Sequence, residues 1–569
     1  MGFSKLLYSV RLAQSTINLS KSVFARQCSS SGFSETCVCP GKDSGEPDGL
    51  VLGVYESKDG STFELTEEGR QIDQKSAGKL CRHVSEMSCE LKPGVAFVLT
   101  DLAPDLPPVT IASFGKRDVG YNHLENINEA KENVRVGVGA GVRELLRRGA
   151  QMVSVDPGYG QEDAAAEAAM LASWRFQEFK SCENREPEMK VKLAGSGKDA
   201  DKFHLGELRG RAQNWARYLS DMPANHMTPV QLAQAALDVL CPLGVKISAH
   251  DVDWIRTQRM EAFLAVARGS CEDPYFLEAT WEGPDSKNRP PVLLAAKGVT
   301  FDSGGLCLKR PANMVENRGS MAGAACVLAT LRYIAEIKMP IKVTAVIPIC
   351  ENMISGQCMK VGDVVKTLNG LHVTIENTDM EGRLMLADAL VYGQAVYKPS
   401  LVIDVATLTH GVLLATGGGA FGAFATSEEA WGALRHAGAD SGDRPWRFPL
   451  WKYYLTQVTN EAAVDLRNQG SGRSTPCLGA AFLSVSELPP FAAPSIVGSV
   501  RTAVLVSQNF VCCDWLHLDI TGVAKLAHSI APPYLDPLRM TGRPARALMY
   551  LLHDLSLSSE NVSCDADRR

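Results

Sequence analysis

The chain has 569 residues, 45% of them hydrophobic and 21% charged, with a formal net charge of -6. At roughly 100–200 residues per domain that length implies two or more domains, and the scattered charge gives no basis for binding nucleic acid or an anionic membrane surface. No stretch approaches the roughly 20 uninterrupted apolar residues that span a bilayer.

Residues 1–34 carry Lys5, Arg11, Lys21 and Arg26 among serines and small apolar residues, with no acid before Glu35. This is the composition of a mitochondrial transit peptide, and it places the mature chain in mitochondria, with the cytoplasm as the alternative. A disordered tail is the plainer reading of the same residues. The sixteen cysteines show no zinc-finger spacing and fit a reducing compartment.

From Gly49 short apolar runs bounded by Gly, Pro or Asp read as strands: Leu50 to Tyr55, Ala96 to Leu99 and Val109 to Phe114. Helical patterns cover Arg70 to Val84 and Glu162 to Phe179, so residues 49–192 form an α/β domain. Gly137 to Gly141 precedes a helix with the wrong spacing for a dinucleotide fingerprint, and Gly195-Ser196-Gly197-Lys198 lacks the Ser or Thr of a phosphate loop; both read as turns. Phe203 to Leu219 is an amphipathic helix within a linker at 203–222, stopped by Met222-Pro223. A second domain covers 223–555, followed by a polar tail at 556–569. In it strands (Val292 to Ala296, Ile341 to Ile349, Leu401 to Val405) alternate with helices such as Gly323 to Ile337, which predicts a central sheet with helices on both faces.

Two polar clusters follow strands in this second half, Lys297 to Gly305 and Asn377 to Arg383. Leu371 to Glu376 alternates with period two; continued extension puts Asp379, Glu381 and Arg383 on one side. Aligned carboxylates are costly unless cations offset them. Asp302 adds another carboxylate from a turn that Gly304 and Gly305 allow to approach closely, so a metal cluster is expected. Lys297 beside dications is a candidate neutral ligand. Lys309, seven residues past Asp302, is a candidate for stabilising an oxyanion.

These motifs resemble those of the leucyl aminopeptidases of the cytosol aminopeptidase family, from about Gly49 to Asp554. Asn377 to Leu384 matches the family signature, and Ala406-Thr407-Leu408-Thr409 and Met540-Thr541-Gly542-Arg543-Pro544 match as well. The resemblance implies a macro-like N-terminal α/β domain, a catalytic domain with a mixed sheet, a hexamer and release of N-terminal residues from peptides. By that likeness Lys297, Asp302, Asp379 and Glu381 hold two divalent metals, Mn or Zn, which generate the nucleophile and clamp developing charge. Lys309 polarises the scissile carbonyl, and Arg383 holds a bicarbonate that acts as general base.

The chain departs from that pattern in four places. Ser320 stands where the resemblance requires a fifth ligand, an aspartate eleven residues after Lys309, and a neutral hydroxyl is a poorer ligand. In the substrate pocket, which includes Thr407, Asn317 replaces a methionine and His410 a glycine. The imidazole narrows an apolar pocket or donates a nitrogen to the impaired metal. Ser484 to Asn509 brackets about two dozen extra residues ending in Val504-Leu505-Val506-Ser507-Gln508, which reads as a retained intron at 485–508 or as a surface loop. The set resembles the insect sperm leucyl aminopeptidases, associated with material inside sperm mitochondrial derivatives. An impaired, structural hexamer, homomeric or built with paralogues, is therefore expected, with an active mitochondrial aminopeptidase as the alternative.

Overall fold

The computed structural model describes residues 47–566 except 58, 59, 61, 196, 486–509 and 526–529. The transit-peptide reading of 1–34 and nearly all of the 485–508 segment lie outside the described residues. Phe510 N donates to Val485 O at 3.0 Å and its ring stacks on Phe482, so the described chain closes across 486–509 with one hydrogen bond.

The first domain is built on a mixed sheet in the order Ala96–Leu99, Val109–Lys116, Gly49–Glu56, Met152–Val155, Lys190–Leu193, with Phe63–Leu65 paired to the end of Gly49–Glu56. Helix Glu129–Arg147 lays Val134, Val138, Val142 and Leu145 on this sheet, a spacing of three and four that gives one apolar stripe. The Gly137 to Gly141 run lies inside this helix and does not precede it. A Cβ at Gly137 would strike Phe114, one at Gly141 Val51 and one at Gly139 Tyr534, each within 2.8 Å. Close packing therefore offsets the helix penalty of about 1 kcal/mol per glycine.

Two helix expectations are corrected. Arg70 to Val84 is not one helix but two, Glu67–Lys75 and Lys79–Glu86, because Ala77 (φ 53°) and Gly78 (φ 80°) take left-handed backbone between them. Glu162 to Phe179 is helical only to Ser173; Trp174 turns extended and packs its indole 4.1 Å from the Arg217 guanidinium. Gly195 and Gly197 adopt positive φ, as a turn requires, and Asp199 then caps helix Ala200–Asp221. That helix covers the expected linker up to Asp221 and buries Ala212, Trp215, Ala216 and Leu219 in the second domain's core.

The main sheet of the second domain has nine strands among the described residues, and a small sheet of Val364–Lys366, His372–Thr374 and Leu466–Arg467 lies apart from it. Eight run in the order Pro445–Arg447, Phe421–Ala425, Asp514–Asp519, Leu401–Ala406, Val292–Ala296, Lys342–Asn352, Tyr275–Glu282, Lys246–His250, and Gly298–Asp302 adds beside Lys342–Asn352. Its centre is parallel, and successive residues of one strand feed opposite cores. Leu294 and Ala296 meet helix Ala322–Glu336 on one face, while Leu293 and Ala295 meet helix Gly382–Tyr397 on the other. The carboxyl ends of these parallel strands converge on one edge, where ligands bind in such sheets. The last helix, Ala545–Ala566, runs on through most of the 556–569 tail.

A buried ionic network joins the domains. Glu167 accepts from Arg135 (2.9 Å), Arg209 (3.1 Å) and Arg546 (3.1 Å), and its carboxylate is fully buried. Burial alone would push this carboxyl up, but Arg135, Arg546 and Arg209 outweigh it and hold it below the usual range. Removing one partner of such a group leaves buried charge uncompensated, so Glu167→Ala is expected to cost about 3–5 kcal/mol. A guanidinium chloride melt would show it as a lower midpoint; an unchanged midpoint would contradict the role given to this network.

Candidate metal centre

Lys297 sits between strands Val292–Ala296 and Gly298–Asp302, and Asp302 ends the second of them. The chain then reverses through Gly304 (φ 88°) and Gly305 (φ 66°). A Cβ at Gly304 would lie 2.5 Å from Cys307 O, so the turn admits no larger residue unstrained. This reversal brings Lys309 back over Asp302, with Nζ 3.1 Å from Oδ2.

The second cluster does not continue as a strand. Backbone pairing ends one residue past strand His372–Thr374, at Ile375, Asn377 Oδ1 accepts from Asp379 N (2.9 Å) to make a tight turn, and a helix begins at Gly382. Asp379, Glu381 and Arg383 therefore do not project to one side, and the reason is that Asn377 offers the backbone a local alternative to extension. Asp379 and Glu381 still meet Asp302: their oxygens lie within 4.8 Å of one another, the one such grouping of metal-ligating acids and thiols found among the described residues. Arg383 points away, donating to Asn468 O at 2.7 Å.

Two lysines answer the three carboxylates. Lys297 Nζ lies 2.5 Å from Glu381 Oε1, and Lys309 Nζ also meets Asp379 Oδ1. Burial and the charge of Asp302 push Glu381 up to about 7. Asp302 goes the other way: burial would raise it, but Lys309 and Lys297 hold it below the usual carboxylate range. Glu381 Oε1 and Asp379 Oδ1 are buried and, among the described residues, have no polar partner beyond these two ammonium groups. Oxygen donors in this state, with charge left over after two ammonium groups, fit divalent cations; Asp302, Asp379 and Glu381 would hold them, with Lys297 at the edge.

Sequence reasoning missed the residues that tie the cluster together. Asn352, at the carboxyl end of its strand, donates to Asp302 Oδ1 (2.9 Å) and Thr378 O (3.1 Å). Thr378 donates to Gly304 O and accepts from Cys307 N, both at 2.7 Å, joining the two polar clusters. A polar residue closing a long apolar strand is the signal that marks Asn352; nothing local marks Asn468.

The remaining expected residues lie around this group. Ser320 is buried in the 3-10 segment Pro311–Met321, and its carbonyl accepts from Thr407 Oγ1 at 3.1 Å. Asn317 is half-buried with Nδ2 unpartnered. His410 is exposed at the first turn of helix His410–Thr416. Arg383 is buried, its Nε has no partner, and burial pushes it down to about 10 against the pull of Glu381 and Asp519.

An outer residue of this kind is typically worth about 10–100-fold in metal affinity. Asn352→Ala is expected to weaken Mn²⁺ binding by that amount in calorimetric titration, and unchanged affinity would show that Asp302 needs no such support.

Similarity to known proteins agrees with this geometry. Residues 214–549 match the family described as cytosol aminopeptidase family, catalytic domain, and residues 51–183 match its N-terminal domain. A cytosol aminopeptidase of Xenopus tropicalis is 38% identical over 90% of this chain and 94% of its own; the Homo sapiens protein is 37% identical over 90% and 93%. Among solved structures, a tomato leucine aminopeptidase variant superposes with a TM-score of 0.73 at 25% identity, covering 90% of this chain and 95% of that one. The bottromycin maturation enzyme BotP in complex with Mn gives 0.72 at 26% identity, covering 90% and 100%. With both domains matched and the acidic cluster at the carboxyl ends of the parallel strands, the chain belongs to the cytosol aminopeptidase family.

Proposed function

We propose that this chain keeps the peptide-binding and metal-binding framework of an aminopeptidase but turns peptides over weakly, and serves mainly as a structural hexamer. The observation that carries this reading is Ser320. It is buried, in the segment that Thr407 ties to the cluster, and it brings a neutral hydroxyl where a further carboxylate would balance the second of two dications.

The residues present support the family's chemistry in outline. Bound divalent metals, Mn as in BotP or Zn, would supply a polarising charge and a nucleophile. Lys309 would face the carbonyl oxygen of the peptide: burial lowers its proton affinity, but Asp302, Glu381 and Asp379 raise it further and keep the ammonium charged. Arg383, buried with a free Nε, suits an anion such as bicarbonate, which would take up a proton. Asn317, Thr407 and His410 would border the side-chain pocket. The basic, acid-poor residues 1–34 support delivery to mitochondria, in the matrix or in the mitochondrial derivatives of sperm. The hexamer, with copies of itself or of paralogues, rests on family likeness.

The retained trio of carboxylates with both lysines favours a second reading, an active metalloaminopeptidase. Leucyl-substrate hydrolysis in Mn²⁺ or Zn²⁺ separates the two. Ser320→Asp is expected to raise turnover at least about 10–100-fold above the unmodified chain. Turnover by the unmodified chain equal to that of the variant would instead establish the active reading.

A further inference from the structure

Strand Asp514–Asp519 ends on a carboxylate that the family chemistry leaves without a task. Asp519 is fully buried and lies directly opposite Ala406 on the neighbouring parallel strand. One of its oxygens, Oδ2, accepts from Thr409 Oγ1 at 2.6 Å. The other, Oδ1, accepts from Leu408 N (3.2 Å), Thr521 N (3.2 Å) and Thr521 Oγ1 (2.7 Å). The carboxylate thus grips the loop after strand Leu401–Ala406 at two points.

That loop in turn grips the metal centre. Thr407 O accepts from Lys297 Nζ at 3.0 Å, and Thr407 Oγ1 donates to the carbonyl of Ser320. Leu408 is wedged between two helices: a Cβ at Gly382 would lie 3.1 Å from its Cδ1, and one at Gly479 would lie 2.9 Å from its Cδ2. The same added atoms would lie 2.9 Å from Lys297 Cδ and 3.3 Å from Arg383 Nη2. In packing this tight, a shift of the loop passes directly to both side chains.

We propose that Asp519 is a positioning residue for Lys297, acting through the carbonyl of Thr407. The inference rests on the metal-binding reading above. An amine that ligates a metal has one lone pair, and where its N–H groups donate decides where that pair points. A fixed carbonyl at 3.0 Å therefore aims the amine, and Asp519 fixes the carbonyl. Thr521 hydrogen-bonds the same carboxylate through its N–H and its hydroxyl, on the side of its own strand, which separates positioning from mere stabilisation.

Calorimetric titration of the full chain with Mn²⁺, alongside metal-free thermal melts, tests this. Asp519→Ala is expected to weaken Mn²⁺ binding about 10–100-fold. Asp519→Asn keeps an acceptor for Leu408 N and restores part of that loss. Thr521→Ala lowers the melting temperature but leaves Mn²⁺ affinity within about twofold, since second-shell losses of about 10–100-fold require a route to the ligand. If Asp519→Ala does not fold, Thr409→Val removes one grip with little change of shape and shows a smaller loss in the same direction. Wild-type affinity in Asp519→Ala or Thr409→Val, or an equal loss in Thr521→Ala, overturns the positioning role alone. A wild type that takes up no Mn²⁺ overturns the metal reading and the positioning role together.

Discussion

Asp302, Asp379 and Glu381 crowd three carboxylates within 4.8 Å of one another, two of them buried, and the surrounding structure answers that crowding. Like charges about 4 Å apart repel by about 4 kcal/mol per pair at an effective dielectric near 20. A chain of ordinary stability, about 5–15 kcal/mol, does not carry such a cluster uncompensated. Lys297 and Lys309 bring two positive charges, and Asn352 and Gly304 donate hydrogen bonds to Asp302. With every carboxyl ionised, three negative charges face two positive ones, and a divalent cation would balance the remainder.

Holding those groups together falls to the sheet. Parallel strands deliver Lys297, Asp302, Asn352, Thr407 and Asp519 to one edge, because each strand ends where its apolar run ends. The two faces of the sheet are sealed by helices Ala322–Glu336 and Gly382–Tyr397, so the polar ends meet in a dry place where charge interactions are strong. The domain junction follows a similar logic at a distance, with Glu167 shared by three arginines from three helices. In both places a buried charge is tolerated only because its partners come from separate elements that the fold locks in register.

Much of this was legible in the sequence where the signal is local. Val292 to Ala296 is apolar at every position and became a central strand buried on both faces. The glycine pair after Asp302 announced a sharp turn, and both glycines have positive φ. Acids placed at strand ends announced a cation site, and the three carboxylates do converge. What failed depended on distant partners or on local competition. Gly137 to Gly141 looked like punctuation because the contact that requires Gly139, with Tyr534, lies almost four hundred residues away. Extension past Glu376 ignored the side chain of Asn377, which closes a turn. Asp519 and Asn468 act on loops that no periodicity links to them. Ser320 was visible only as a departure from a pattern, since nothing in its own neighbourhood marks it.

Crystals of the purified chain grown with Mn²⁺, with data collected at the manganese absorption edge, test the central claim most directly. An anomalous peak among Asp302, Asp379 and Glu381, with the Lys309 ammonium displaced from Asp379, is the predicted result. A map without a peak there, with both lysines still paired to the carboxylates at millimolar Mn²⁺, would contradict the account.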